Sequence, residues 1–305
     1  MLDVLTIGAA CVDVLVRGLG RFDPEREINP ARQVELCAGG DALNEAVVLT
    51  RLGKRAGLLA ALGEGNAADF IAGQLSHAGV DLSMCHRDQH RPSPVSVVMI
   101  RTDGQRSFVS PPPESLPRLP RELRLPKAKV VTLASLYQPP FLDLGFALSC
   151  ARQAKEMGAV LCADAVCPPG AKMEQYRELW PLVDYFFPNL EEAETLTGER
   201  DPERAAEMIL RFGVGTALVK TGKRGCLAKN QKGSHQSPAF LTGAVDTTGA
   251  GDCFASGFIA GLLEGEDLAG CCRLANAAAS LAVRRIGATA GIESRRQLQD
   301  VLDGK

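Results

Sequence analysis

The stretch that decides the fold is Ala244–Phe258, which reads AVDTTGAGDCFASGF. Gly249 and Gly251 flank Ala250 in a short turn, and the apolar residues that follow predict a helix beginning near Asp252. The residues before the turn, ending in Asp-Thr-Thr, predict a short strand. Small flexible residues between a strand and a helix let backbone amides converge on an anion, which the helix dipole also attracts.

Asp252 is a carboxylate placed beside this predicted anion site. It could take a proton from an attacking hydroxyl while the amides of Gly249, Ala250 and Gly251 hold the charge of a transferring phosphoryl group. The alternative is that Asp252 simply caps the helix. The spacing by itself leaves both interpretations open.

A second glycine pair, Gly39-Gly40, precedes another predicted helix within the segment Cys37–Gly53. Paired glycines allow a ligand to approach the backbone closely. Asn44 falls in the first turn of that helix, and its amide can both donate and accept hydrogen bonds. The segment therefore predicts either a ligand-binding turn or an ordinary turn before a helix.

Short apolar runs alternate with helical patterns through most of the chain. The predicted strands are Val4–Gly8, Gly57–Leu62, Val130–Ala134, Val160–Ala163, Tyr185–Phe187 and Ala217–Lys220. The predicted helices are Ala42–Leu52, Ala67–His77, Phe141–Met157, Pro202–Phe212, Ala250–Leu263 and Leu268–Arg285. This alternation predicts an α/β fold with three layers, a doubly wound and mostly parallel sheet between helices, in one domain over 1–305.

Some segments alternate instead like exposed antiparallel strands. Arg32–Cys37, Val95–Arg101 and Arg106–Ser110 show this pattern, and Thr102-Asp103-Gly104-Gln105 predicts a hairpin turn between the last two. We expect a small separate sheet, a lid over a site, from segments at about 11–18, 32–38 and 94–110. A small sheet with one apolar face is poorly stable by itself, which predicts a homodimer through the lids.

The composition excludes several classes of protein. The formal net charge of -2 gives no basic face for nucleic acid, and no run of about 18 uncharged apolar residues predicts a membrane span. The ten cysteines form no C-x-x-C pair and no basic leader is visible, which predicts reduced thiols and a cytoplasmic protein. Cys85, His86 and His90 lie close together in a loop-like stretch but fit no common spacing of metal ligands.

Taken together, these segments resemble the ribokinase-like, or PfkB, family of carbohydrate kinases over nearly the whole chain. The matching segments are Gly39-Gly40 with Asn44 and Gly53, Pro188–Gly198 with its N-x-x-E pattern, Lys220–Gly225, Asp246–Asp252, and Ala275–Ala279 running to Gly287-Ala288. Five matches in family order are specific. The resemblance favours the catalytic interpretation of Asp252 and implies ATP as the phosphoryl donor.

The resemblance also implies a role for each matching residue. Asp252 would be the base, with the amides of Gly249, Ala250 and Gly251 as the anion hole. Substrate hydroxyls would be bound by Asp13, at the end of the first strand, and by Gly39, Gly40 and Asn44. The nucleotide site would be formed by Asn189, Thr221, Gly222, Gly225 and Asn276. Glu192 would act through magnesium and water, and Asp246 and Thr248 match positions that hold a monovalent cation, usually potassium.

Departures from the ribokinase pattern leave the substrate open. Cys11 stands where ribokinases typically have Asn, Asp41 where they have Lys, and no Glu occurs in the strand that ends at Ser135-Leu-Tyr137. Asp164-Ala-Val-Cys167 also differs from the Asp-Pro-Asn run of fructokinase-like relatives. The expected substrate is a sugar or sugar-like molecule. The alternative is a nucleoside whose base stacks on an aromatic residue, either Tyr137 or Phe108.

Two rival functions remain at this point. Gly63-Glu-Gly65-Asn-Ala-Ala68 fits the G-x-G-x-x-A pattern of dinucleotide-binding oxidoreductases, although that pattern is weak and lies in the third structural unit rather than the first. A binding protein without catalysis is the other rival, and the complete Gly249–Asp252 turn argues against it.

Overall fold

The computed structural model describes residues 1–101, 106–120 and 122–304. Its strands, numbered in chain order, are β1 (Leu2–Ile7), β2 (Cys11–Leu19), β3 (Gln33–Gly39), β4 (Ala56–Leu59), β5 (Ala61–Glu64), β6 (His86–Pro92), β7 (Val95–Arg101), β8 (Arg106–Val109), β9 (Ala128–Leu136), β10 (Val160–Ala165), β11 (Tyr185–Phe186), β12 (Thr216–Lys220), β13 (Cys226–Asn230) and β14 (Gly233–Ser237). Its helices are α1 (Asp41–Arg51), α2 (Asn66–Ala78), α3 (Leu144–Glu156), α4 (Leu190–Thr197), α5 (Pro202–Arg211), α6 (Ala250–Glu264), α7 (Leu268–Ala282) and α8 (Arg295–Leu302).

Eight strands form the central sheet, in the order β14-β13-β12-β11-β10-β9-β1-β4. The six strands from β12 to β4 are parallel, and β13 and β14 extend the sheet as an antiparallel edge. Parallel neighbours need crossover connections, which the helices supply. The predicted mostly parallel α/β sheet is confirmed, whereas the β13–β14 edge was not anticipated.

Successive residues of the central strands pack into separate cores on the two faces of the sheet, because side chains alternate along a strand. Leu5 and Val131 join the core under α3, α4 and α5. Their neighbours Val4 and Val130 join the core under α6 and α7. The predicted arrangement of helices on both faces is therefore confirmed.

The helices differ in how they begin. Five start with a capping side chain: Asp143, Asn189, Asp201, Asp267 and Ser294. In the described part of the chain, α1, α2 and α6 instead follow the glycines Gly40, Gly65 and Gly249 and have no side-chain cap. First-turn amides without a cap are available to a ligand.

A second, smaller sheet has the strand order β3-β2-β7-β8. It contains all the segments predicted for it, at 11–18, 32–38 and 94–110, while the predicted turn Thr102–Gln105 lies outside the described residues. The sequence predicted Asp13 at the end of the first strand, but Asp13 lies inside β2. The reason is that the chain leaves the central sheet after Ile7 and starts a new strand at Cys11.

Several local predictions are wrong. The apolar run Gly57–Leu62 contains two strands, since Ala56–Leu59 pairs with β1 whereas Ala61–Glu64 pairs with β6 in a two-stranded sheet. The described residues 238–248 contain no strand, and α6 begins at Ala250. The helix predicted from Phe141 begins three residues later, because the Asp143 side chain caps it. The stretch 85–90, expected as a loop, contains most of β6.

Among the helices of residues 1–101, 106–120 and 122–304, none combines the length and apolar character needed to cross a lipid bilayer.

Candidate active site

A cleft of about 310 Å³ opens at the carboxyl edge of the central sheet, where β10 and β12 end. Ligands of open α/β sheets bind at this edge. The predicted site residues that line it are Asn189, Glu192, Gly222, Gly225, Ala250, Gly251, Asp252 and Asn276. The cleft is also lined by Asp41, Asp164, Ala165, Val166, Lys220, Phe254 and Ala279.

Gly249 forms the turn that opens α6. Its φ of 71° lies in the left-handed region that glycine adopts readily. A Cβ atom here would also lie 2.3 Å from the Ala288 carbonyl oxygen, so a larger residue would collide. The amide of Ala250 donates across the turn to the Thr247 carbonyl at 3.3 Å. The turn thus directs the uncapped start of α6 into the cleft.

Asp252 is held by a residue from the other glycine-led helix. The Asn44 side chain donates a 2.7 Å hydrogen bond to Asp252 Oδ2, joining α1 to α6. The cap position of α6 is Gly249, so helix capping does not account for Asp252. Burial raises the pKa of Asp252 well above its ordinary value, the Asp41 charge raises it further, and the Asn44 bond opposes both. A carboxylate with a raised pKa is a better proton acceptor.

An ion pair crosses the floor of the cleft. Lys220 Nζ, at the end of β12, donates to Asp164 Oδ2, at the end of β10, over 2.6 Å. The two side chains are only 13% and 8% exposed. Burial opposes the charged form of Lys220, but Asp164 and Glu192 outweigh it and raise the lysine pKa above its usual range. The cleft therefore contains a fixed positive charge.

The N-x-x-E pattern forms a capping box at the start of α4. Asn189 Oδ1 accepts from the Glu192 amide at 2.9 Å, and the Asn189 amide donates to Glu192 Oε2 at 2.7 Å. Burial, with a contribution from the Asp164 charge and opposed by Lys220, raises the pKa of Glu192 to about 7. The box fixes the carboxyl at the cleft wall, where it lines the cavity.

Asp13 and the glycine pair lie together, as predicted. A Cβ atom on Gly39 would lie 2.0 Å from Asp13 Oδ2, so the carboxylate rests directly on this glycine. Gly40 has a φ of 100°, and a Cβ there would lie 2.5 Å from the Ala9 carbonyl oxygen. Burial raises the pKa of Asp13. Asp13, Gly39, Gly40 and Asn44 do not line the cleft; they form a polar patch on the α1 side, joined to Asp252 through Asn44.

The residues predicted for the nucleotide form or support one wall of the cleft. Thr221 does not line the cleft; its hydroxyl donates to the Gly225 carbonyl at 2.9 Å and so shapes the turn that does. The Asn276 amide nitrogen donates to the Ser237 carbonyl and hydroxyl oxygens, at 3.2 and 3.1 Å. Thr221 and Asn276 therefore fix the shape of this wall.

Asp246 and Thr248 lie in the loop before α6. Asp246 Oδ1 accepts from the amide and hydroxyl of Thr248, at 3.0 and 2.7 Å, and Oδ2 accepts from the Gly287 amide at 3.0 Å. This carboxylate ties the loop before the Gly249 turn to the loop after α7. Both carboxylate oxygens of Asp246 are thus already hydrogen-bonded, and a monovalent cation at Asp246 and Thr248 stays a prediction.

Seven lining residues are not among the predicted site residues, and three of them are charged: Asp41, Asp164 and Lys220. Asp41 accepts from the Ser135 hydroxyl at 2.9 Å, and burial raises its pKa to about 6. Asp164 and Lys220 each lie at the carboxyl end of a predicted strand. That position was the available signal, because ligands bind where parallel strands end.

The G-x-G-x-x-A turn does not form a dinucleotide crevice. Gly65 precedes α2, but the strand before it, β5, belongs to the two-stranded sheet with β6 and not to the central sheet. No group of three or more His, Cys, Asp or Glu side chains with the geometry of a metal site occurs in the described residues, Cys85 and His86 included.

Comparison with known proteins supports one family. The model of the pfkB family carbohydrate kinases matches residues 1–295. An ATP-dependent ribose-1-phosphate kinase of Halopiger xanaduensis is 31% identical, covering 94% of each chain, and a ribokinase of Haemophilus influenzae is 24% identical, covering 92% of each. Arabidopsis thaliana ribokinase, solved with ribose and ATP, superposes with a TM-score of 0.85 at 26% identity, over 99% of this chain and 98% of that one. With its fold, its cleft and the family pattern in agreement, the chain belongs to the PfkB family and is an ATP-dependent carbohydrate kinase.

Proposed function

We propose that this kinase transfers the γ-phosphoryl group of ATP to a hydroxyl of a sugar or sugar-like molecule, with Asp252 as general base. One observation carries the proposal: the Asp252 carboxylate lies beside the uncapped start of α6 and is held by Asn44. The base takes the proton of the hydroxyl while its oxygen attacks phosphorus. The amides of Gly249 and Gly251, joined by that of Ala250 once it leaves its long 3.3 Å bond to the Thr247 carbonyl, form the proposed anion hole for the phosphoryl oxygens.

The polar patch on the α1 side and the wall of the cleft would give the two substrates separate places. The acceptor binds on the α1 side, where Asp13, Gly39, Gly40 and Asn44 offer a carboxylate, an amide and close backbone approach. The nucleotide binds along the other wall, over the Gly222–Gly225 turn and beside Asn189 and Asn276. Asp252 lines the cleft and is bonded to Asn44 of the α1-side patch, which suits direct transfer from one substrate to the other.

Magnesium would accompany the ATP phosphates and offset their negative charge. The described lining residues include four carboxyl groups but one ammonium, that of Lys220, so the donor set favours a divalent cation. Glu192 would hold the ion through water, since Mg²⁺ usually keeps several of its waters. Glu192→Gln should therefore raise the magnesium concentration needed for half-maximal activity.

Asp246 and Thr248 would support a potassium ion next to the Gly249 turn. The support for this is the oxygen-rich junction of the two loops, which contacts the Gly249 turn at Ala288. Potassium would then stabilise the turn and raise kcat. Equal rates in sodium and potassium buffers of matched ionic strength would remove this role.

The small sheet, made of β2, β3, β7 and β8, is the proposed lid. Its face with Asp13 also carries Ser96, whose hydroxyl lies 2.9 Å from that of Ser110. Ile286, in the loop after α7, packs against Leu15 and two other apolar residues of the same face. Closure over the acceptor would exclude water, which competes for the phosphoryl group. Unchanged hydrogen exchange in β2 and β7 on adding substrates would contradict a closing lid.

The other face of the lid is the proposed dimer interface, where a second copy of this chain would bind. The register places Val14, Val16, Val34, Leu36, Val97, Met99 and Val109 on this face. Val34, Leu36 and Val109 are 62%, 60% and 59% exposed, so the described residues leave this part of the surface uncovered. Two such faces would bury each other.

A nucleoside is the second candidate for the acceptor. Phe108 is 61% exposed and lies opposite Val98, on the lid face that also carries Asp13, where it could stack on a base. Tyr137 does not support this candidate, because it is buried against Tyr176 and its hydroxyl donates to the Lys172 carbonyl.

A coupled ADP-release screen over pentoses, hexoses, sugar acids and nucleosides tests the proposal. We expect acceptor-dependent ADP release with at least one sugar, above the rate with water. A preference for nucleosides would select the second candidate. Binding of sugar and ATP without any turnover would overturn the proposed reaction.

A further inference from the structure

Lys220 lies at the centre of the cleft, yet the proposed function gives it no task. Its backbone amide donates to the Pro188 carbonyl, which anchors it beside Asn189. Its Nζ donates to Asp164 over 2.6 Å, and little of either side chain is exposed. The ammonium is therefore fixed inside the site.

The same ammonium lies against the first turn of α6. A Cβ atom added to Gly251 would lie 3.1 Å from Lys220 Nζ. Gly251 belongs to the proposed anion hole, and the next residue is Asp252. Because acidic neighbours keep Lys220 protonated, a full positive charge adjoins the place where the phosphoryl group would lie.

A purely structural role accounts poorly for this lysine. Replacing a buried ion pair by apolar residues is often neutral or stabilising, so a fold rarely depends on one. The pair also lies at the ligand-binding edge of the sheet and lines the cleft, outside the hydrophobic cores on either face.

We propose that Lys220 is a catalytic residue whose ammonium binds a γ-phosphoryl oxygen of ATP during transfer, and that Asp164 is the positioning residue that holds it. This rests on the proposed function. The acceptor oxygen bonds to the γ-phosphorus, the bond from that phosphorus to the β–γ bridging oxygen breaks, and ADP leaves with the electron pair. The acceptor proton moves to Asp252. Lys220 stays protonated and offsets the charge on the transferred oxygens.

The charges around the cleft support this assignment. Where ribokinases typically have a lysine after the paired glycines, this chain has Asp41. Asp41 and Lys220 both line the cleft, and the Lys220 charge opposes the burial that raises the pKa of Asp41. The chain thus supplies from β12 a positive charge that the first turn of α1 lacks.

The test compares Asp164→Asn with the double variant Lys220→Met/Asp164→Asn, because neither leaves an unpaired carboxylate at position 164. Asp164→Asn keeps the ammonium and should lower kcat by about tenfold or less. The double variant should lower kcat by about a further hundredfold, with the acceptor KM changed by less than about threefold. Lys220→Arg, which keeps the charge, should retain more activity than the double variant.

Lys155→Met is the matched control, since it breaks a Lys–Asp pair, with Asp184, at the other edge of the sheet. Its kcat should stay within about twofold of wild type. A double variant whose kcat is within about threefold of that of Asp164→Asn would overturn the proposal. In that case Lys220 serves only to neutralise Asp164.

Measurements of nucleotide affinity test the Lys220 contact independently of turnover, and so independently of the proposed function. Calorimetric titration should show the double variant binding magnesium–ATP at least about tenfold more weakly than Asp164→Asn, and magnesium–ADP within about threefold. A wild-type protein without turnover would refute the proposed function, while this ATP-specific loss would still support the Lys220 contact. Equal ATP affinities in the two variants would overturn it.

Discussion

The cleft and the small sheet are held in different ways. The cleft is closed by polar contacts between distant segments, with Asn44 bonded to Asp252 and Lys220 to Asp164. The small sheet has one apolar cluster of its own, formed by Leu15, Val98 and Ile100, which contacts the loop after α7 through Ile286, while residues of its other face are exposed. The described residues complete the cleft, whereas the exposed face of the small sheet is where we propose that a second copy binds. Substitutions in the cleft should therefore affect the chemical step. Substitutions in the small sheet should affect dimer assembly and acceptor binding.

The largest effect is expected from filling the anion hole. Gly251→Val would place a branched side chain 3.1 Å or less from Lys220 Nζ, at the point where phosphoryl oxygens would bind. We expect kcat to fall by at least about a hundredfold. Gly73→Val, in α2, is the control because a Cβ there meets open space. A Gly251→Val enzyme with a third of wild-type kcat would show that the turn does not hold the phosphoryl group.

A substitution on the exposed face of the lid should have a smaller effect, and it should act on dimer assembly and the acceptor KM rather than on kcat. Leu36→Glu places a charge in the proposed interface and should convert a dimer into a monomer, since a buried unpaired charge is costly. The acceptor KM should rise several-fold and kcat change by less than about threefold. Light scattering and steady-state kinetics measure both. Leu142→Glu, at another exposed leucine, is the control. A wild-type monomer, or a Leu36→Glu dimer, contradicts this interface.

The third prediction concerns the pH dependence of the cleft. The Asp41 charge raises the pKa of Asp252, after burial, so Asp41→Asn should lower that pKa. The acid limb of the kcat/KM profile should then move to lower pH, because the base stays deprotonated in more acidic solution. An acid limb that moves to higher pH, or does not move, would show that Asp41 and the titrating group are not coupled.

The sequence predicts the fold better than it predicts the contacts. Buried strands and helices have strong periodic patterns, so the parallel sheet was found. The run Gly57–Leu62 was read as one strand because apolar residues do not show where a strand changes its hydrogen-bonding partner. Asp13 was assigned to the first strand for the same reason.

The candidate site was predicted where a local motif marks it and missed where it depends on tertiary structure. The glycines before α1 and α6 are visible in the sequence, and they led to Asn44 and Asp252. The pairing of Lys220 with Asp164 arises only when β10 and β12 are brought to the same edge of the sheet. Family motifs likewise did not show that Thr221 and Asn276 bond to the protein.

The smallest effect is expected for Glu45, where a substitution should change only how stability depends on pH. Glu45 is fully buried, and neither carboxyl oxygen has a hydrogen-bond partner among the described residues. Burial, with the Asp252 charge, raises the pKa of Glu45 well above its ordinary value. The stability that this group contributes is present below its unfolded pKa and is lost as the pH rises through the folded pKa.

Glu45→Gln should remove that pH dependence. The free energy of unfolding is measured in urea for both proteins at pH 5 and at pH 8. The variant's free energy minus that of wild type should be more positive at pH 8 than at pH 5, by about 1 kcal/mol or more. The exposed Glu174→Gln should show no such gain. A stability difference independent of pH would mean that Glu45 ionises as freely in the folded chain as in the unfolded one.

The most direct test of the central claim is the kcat of Asp252→Asn, measured by acceptor-dependent ADP release with the same folded fraction as wild type. The amide keeps the size of the side chain but cannot accept the hydroxyl proton. We expect kcat to fall by about 10²–10⁴-fold, the usual contribution of a positioned base, while the melting temperature stays close to that of wild type. Asp69→Asn, at a side chain 72% exposed, should leave both unchanged. An Asp252→Asn enzyme that keeps more than about a tenth of wild-type kcat would remove Asp252 from the mechanism.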